Sequence, residues 1–218
     1  ITQAGFVSNS ALIWETRMAH HTRSVGIFVF SQVEVMDFAG PYEVFSIADH
    51  TADRNTFKVF LVAQSAEQIE GRNGFTVVPQ YTFDTCPELD ILIIPGGPGT
   101  RVEEKIPKVL DWVRTKAESA ELVLSVCTGA RILAHSGLLD GLGATTHWNS
   151  LNELREMAPT TIVYDDRRFV DNGKIVTSAG VSAGIDMSLH IVRRLCGDQT
   201  AADVAHMMEY QTQEVPAP

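Results

Sequence analysis

The stretch Leu122 to Ala134, LVLSVCTGARILA, constrains the fold more than any other part of the chain. Leu122 to Val126 are apolar apart from Ser125 and suit a buried strand. Cys127 follows at once, then Thr128-Gly129, then a helical pattern in which Ile132, Leu133 and Ala134 are apolar. A strand, a sharp turn and a helix, with a thiol at the turn, is the geometry that carries the nucleophile of hydrolase-type α/β enzymes, although the serine motif is absent. The turn holds the sulfur clear of the sheet. The helix N-terminus brings partial positive charge to it, which favours thiolate over thiol. Gly129 allows close backbone approach. Taken alone, a strand-end cysteine is more often inert packing; its place between strand and helix, and the rest of the chain, reverse that preference.

Further strands and helices alternate around this elbow. Val25 to Phe30 reads as a buried first strand, and Pro41 suits the first turn of the helix after it. Asp37 then falls near the loop after the first strand, where it is either a helix cap or a functional carboxylate, with equal weight on each. Phe57 to Ala63 is a second strand, and Gln68 to Pro79 a hairpin around Asn73-Gly74. Leu89 to Ile94 is another buried strand. It runs into Pro95-Gly96-Gly97-Pro98-Gly99, which has neither the lysine-bearing P-loop pattern nor the dinucleotide fingerprint. That loop is better read as a source of free backbone N–H groups beside Cys127.

A helix over Val109 to Ala120 precedes the elbow strand. Ala144 to Trp148 is a short strand entering a helix through Met157, and His147 stands at its end. A lone His there is more often structural than catalytic, and the structural reading is preferred. Strand pieces follow at Thr161 to Tyr164, Phe169-Val170 and Lys174 to Thr177. The small-residue loop Ser178 to Gly184, containing Gly180, Val181 and Ser182, opens a helix through Leu195, and a last helix covers Asp198 to Tyr210. The alternation predicts an α/β fold, a mostly parallel sheet sandwiched between helices.

The chain as a whole excludes several classes. It has 218 residues, enough for one α/β domain, expected over 25–210 between an extension at 1–24 and a tail at 211–218. The extension lacks the pattern of a secretory signal. A net charge of −10, from 17 basic and 27 acidic residues, opposes nucleic-acid binding. No apolar run approaches the roughly 20 residues of a membrane helix. Cys86, Cys127 and Cys196 are too few and too scattered for a disulfide framework or a thiolate-rich zinc site, so no metal is expected, and a reducing cytoplasm is the simplest setting.

The segments MDFAGPYEVF, DILIIPGGPGT, VLSVCTGARILAHSGLLDG, ATTHW and TSAGVSAGIDMSLHIV lie in this order between Val25 and Tyr210. With them the chain resembles the ThiJ/PfpI superfamily, and within it the isocyanide hydratase branch. The resemblance implies a flavodoxin-like fold of the class I glutamine amidotransferase type and a homodimer without cofactor. It implies hydration of a small isocyanide to an N-substituted formamide. Cys127 would then be the nucleophile and Asp37 the proton carrier. Thr128 would hold the intermediate or a water, and backbone N–H groups at Gly97 and Thr128 would stabilise charge. Gly96, His147, Gly180, Val181 and Ser182 would surround the pocket. Peptidase and glyoxalase members commonly have His directly after the cysteine, where this chain has Thr128, and often Glu where it has Asp37. The same branch supplies the ligand domain of regulators with a following helix-turn-helix module; the sequence here runs only a short way past Tyr210, so that module is expected to be missing, and a regulator-derived binding domain stays an option. Glyoxalase-like hydration and a redox or ligand sensor built on Cys127 are the alternatives.

Overall fold

The computed structural model describes residues 21–52 and 55–212. Most of the expected extension, residues 1–20, and residues 213–218 of the expected tail lie outside them. The long strands are β1 (Arg23–Phe28) and β2 (Phe57–Ala63), with the short β3 (Ile69–Glu70), β4 (Thr76–Val77) and β5 (Tyr81–Thr82) after them. Then come β6 (Ile91–Ile94), β7 (Leu122–Val126), β8 (Gly143–Ala144), β9 (Ile162–Val163), β10 (Phe169–Asp171) and β11 (Ile175–Ser178). The helices are α1 (Val35–Thr51), α2 (Thr100–Glu103), α3 (Pro107–Ser119), α4 (Gly129–His135), α5 (Leu151–Met157), α6 (Ala183–Cys196) and α7 (Asp198–Met207).

Seven strands form one sheet in the order β10-β11-β7-β6-β1-β2-β5, parallel except for the β10–β11 hairpin. β6 and β7 are buried along their whole length, which is why they read as unbroken apolar runs. Helices α1, α6 and α7 pack together on one face; α2, α4 and α5 pack together on the other, where α3 also meets α4. The five central strands, taken in chain order, follow the flavodoxin-like arrangement, and the order reverses between β1 and β6. Ligands of such sheets bind outside the carboxyl ends of the strands at this switch point. Register carries the elbow there as well: Ile94 pairs with Ser125, and Val126 with Ser178. The segments after β1, β6, β7 and β11 therefore leave the sheet along one edge. Among the described residues, no helix is long and apolar enough to cross a membrane.

The first helix departs from the sequence expectation. It starts at Val35, so Asp37 lies in its first turn and Pro41 lies inside it. Proline has no N–H, so position 41 leaves the Asp37 carbonyl without its helical partner. The last helix ends at Met207, short of Tyr210. The Asn73-Gly74 hairpin forms as β3–β4, with Asn73 at φ 59 in the left-handed region that turns require.

Candidate active site

Cys127 is the first residue past β7, and its φ of 57 marks the sharp turn of the elbow. Both sides of its peptide unit are tied down. Its N–H is shared between the Ser178 and Ala179 carbonyls, each at 3.1 Å. Its carbonyl accepts the Thr146 hydroxyl at 2.7 Å. The turn is tight enough to demand glycine at 129, where a Cβ would lie 2.0 Å from the Ile94 carbonyl oxygen.

Asp37 reaches the same point from the other side of the switch. Its side chain is fully buried, and Oδ2 accepts the Gly96 N–H at 3.1 Å. Helix capping is not its role, since Glu34 holds the cap position and Asp37 bonds outside its own helix. Oδ1 has no N–H or O–H partner. The Cys127 thiol and the Val181 N–H also bear on this carboxyl. Val181, a β-branched residue, sits there at φ 52, a left-handed conformation that is strained for its type. Gly96 is pressed between the two groups: a Cβ there would stand 2.6 Å from the Thr128 nitrogen and 2.8 Å from Asp37 Oδ2.

The electrostatics of the pair run against the expectation of a ready thiolate. Burial pushes the Asp37 carboxyl up to about 7, and the Glu34 charge adds to it, while the thiol, the Gly96 N–H and the Val181 N–H pull the other way. Burial also pushes the Cys127 thiol well above the ordinary range, and the Asp37 charge adds to it; the Thr128 N–H and hydroxyl pull it down without reversing the shift. Helix α4 has seven residues and a correspondingly limited dipole, and desolvation outweighs it. The carboxyl ionises first. Above pH 7 the pair holds one proton, on the thiol, with a carboxylate placed to take it.

Two expected donors are already engaged. The Gly97 N–H donates to Thr128 Oγ1 at 2.9 Å, so it is not free to meet a ligand. The Thr128 oxygen also lies 3.2 Å from both the Gly97 carbonyl and Thr100 Oγ1, which fixes its hydroxyl in the loop. The Thr128 N–H bears on the sulfur instead.

Cys127 opens on a cavity of about 200 Å3, with Gly97, Thr128, His147 and Val181 in its wall. His147 belongs to the wall, but its Nδ1 is 2.6 Å from Asn149 Oδ1. Gly180 lines an adjoining cavity that shares His147 and Val181 with the first. Ser182 accepts from Arg168 at 3.2 Å and does not line the wall. The wall also holds Glu34, Arg72, Arg101 and Asn149, none of which the sequence pointed to. Arg72 sits on the β3–β4 hairpin, remote in sequence from every motif; Arg101 follows the glycine-rich loop directly, and that proximity was the available signal. Among the described residues, no group of His, Cys, Asp and Glu is arranged to hold a metal ion.

A family profile described as the DJ-1/PfpI family matches residues 23–194. The chain is 35% identical to the isonitrile hydratase of Pseudomonas putida over 89% of this chain and 79% of that protein. It is 25% identical to the HTH-type transcriptional regulator GbdR of Pseudomonas aeruginosa, over 87% of this chain but about half (51%) of the regulator. Among solved structures, a ThiJ/PfpI family protein from Pseudomonas syringae superposes with a TM-score of 0.80 at 28% identity, over 99% of this chain and 84% of that one.

Proposed function

The chain belongs to the DJ-1/PfpI family, and from that premise we propose that it hydrates isocyanides, R–N≡C, to N-substituted formamides, with Cys127 as nucleophile. The observation that carries the reading is the Asp37 carboxyl, fully buried against the Cys127 thiol at the elbow with no histidine in the pair. Isocyanide addition needs a proton moved from the nucleophile to the carbon it attacks, and one carboxylate beside the sulfur does that.

Asp37 takes the thiol proton as the sulfur bonds to the terminal carbon, and returns it to that carbon, giving the thioimidate R–N=CH–S–Cys127. The Thr128 N–H supports charge on the sulfur while the proton is away. Water then adds at the same carbon, Asp37 taking a proton from the water and passing it to the nitrogen, which gives R–NH–CH(OH)–S–Cys127. The adduct's C–S bond breaks as Asp37 carries the hydroxyl proton to the leaving sulfur, which releases R–NH–CHO and restores the resting pair of thiol and carboxylate. One water is consumed, and no electrons leave or enter. The scheme calls on neither metal nor organic cofactor.

A panel of simple isocyanides and 2-oxoaldehydes, assayed with wild type and Cys127→Ala, tests this. Formamide release that disappears in Cys127→Ala is the expected result. Turnover of 2-oxoaldehydes alone would assign the chain to glyoxalase-like chemistry, and formamide release by Cys127→Ala would end the covalent route.

A further inference from the structure

We propose that the cavity beside Cys127 selects small substrates carrying a carboxylate, held between the guanidinium groups of Arg72 and Arg101; in the isocyanide case, which rests on the function proposed above, the substrate class is an isocyano acid. The cavity is below the roughly 300–1,000 Å3 of a drug-sized ligand site, and its wall is not the apolar one that a hydrocarbon isocyanide would prefer. Two of the 17 basic residues of an acidic chain, Arg72 and Arg101, line it. They come from separate elements, Arg72 from the β3–β4 hairpin and Arg101 from α2, and the thiol lines the same cavity.

Both guanidiniums are held in place but not used up. Arg72 donates to Glu34 through Nη1, and Arg101 donates to Glu153 through Nη2. A guanidinium has five N–H donors, so each retains N–H groups that its glutamate does not take. Both side chains are about half exposed, at 51% and 47%, so neither is sealed in by its glutamate. Glu34 and Asp37 oppose an anion, but Glu34 is bound to Arg72 itself, and Glu153 outside the wall is shared between Arg101 and the buried Arg131. An isocyano acid enters with its terminal carbon at the sulfur and its carboxylate at the arginines. Isocyanoacetate, ⁻OOC–CH2–N≡C, takes up one water and leaves as N-formylglycine, its carboxylate unchanged.

The anion preference is measured apart from turnover. Iodoacetate and iodoacetamide alkylate the same thiol and differ in charge, so the ratio of their rates at Cys127, compared with that ratio for 2-mercaptoethanol, reports the field of the cavity. The expected ratio is at least about fivefold above the reference, the size of one unit-charge attraction at about 4 Å in water. Arg72→Gln and Arg101→Gln each lower it, and the double variant brings it to the reference. Lys108→Gln, which removes a cation from outside the cavity, keeps the wild-type ratio. A wild-type ratio at or below the reference, or one insensitive to both arginine variants, overturns the proposal. Isocyanoacetate against its methyl ester forms the second arm, with higher kcat/KM expected for the acid. If neither is hydrated, the isocyanide reading fails while the alkylation ratio still decides the anion site.

Discussion

Asp37 separates a catalyst from a structural carboxylate on the strength of one oxygen. Oδ2 is satisfied by Gly96, and a purely structural group would need no more. An Asn at 37 keeps the shape and an acceptor for that N–H but cannot titrate, so Asp37→Asn is expected to fold and to lose turnover by at least roughly a hundredfold, the low end for a general acid–base group. Near wild-type turnover, with Cys127→Ala inactive, would move the proton to another residue, and His147 in the same wall is the next to test. The protonation order sets a second expectation. Below pH 7 the carboxyl is protonated and has no capacity for the thiol proton, so alkylation of Cys127 by iodoacetamide should be slow there and rise as pH passes about 7. In Asp37→Asn that rise should vanish, leaving only the thiol's own much higher titration; an unchanged profile would detach the rise from Asp37. The residues of this pair were legible in the sequence. Their electrostatics were not, because the sequence shows a helix after a thiol but not the desolvation that outweighs its dipole.

At the scale of elements, the elbow is held from behind by charge. Arg131, on α4, forms a bidentate pair with Glu104 at 2.7 Å for both bonds, and both side chains are nearly fully buried. Arg131 also meets Glu153 on α5, and Glu153 bonds Arg101 on α2, so three helices are joined behind the cavity. Arg131→Met strands Glu104 without its cation and should cost about 3–5 kcal/mol in urea unfolding, whereas Arg131→Met with Glu104→Leu should recover most of it. A single variant as stable as wild type would show that the pair holds nothing. Nothing in the spacing of residues 104, 131 and 153 announced this network, since it joins positions that meet only once the sheet is built. The strands were legible for the opposite reason: β6 and β7 are covered on both faces, and their burial is written residue by residue. The start of α1 departs from expectation because proline usually opens a helix, while here Val35 and Met36 extend it backward past Pro41.

At the scale of the molecule, resemblance to the family implies a homodimer, and exposed apolar side chains such as Trp148 at 77% and Ile162 at 61% are the kind that a second copy covers. Light scattering at micromolar concentration is expected to give about twice 23.9 kDa, and a strict monomer would refute the pairing. Folding is also linked to pH by a carboxyl outside the reacting pair. Glu103 on α2 is buried, and burial lifts it from 4.5 to about 7, only partly offset by the amide of Gln64, which donates to it at 2.9 Å from the end of β2. A carboxyl raised in the folded state binds its proton more tightly there than in the unfolded chain. Its contribution to stability is therefore complete below pH 4.5 and is lost as pH rises through 7. The loss amounts to about 3 kcal/mol over that window, at about 1.4 kcal/mol for each pH unit crossed. Glutamine keeps an acceptor for Gln64 and has no charge to bury, so Glu103→Gln should match wild type near pH 4 and exceed it by about that amount at pH 8. Asp37 titrates across the same range, but it is present in both proteins and cancels in the difference. Urea midpoints for the two proteins at the two pH values decide the matter, and an equal difference at both would mean that Glu103 is solvated and takes no part in the linkage.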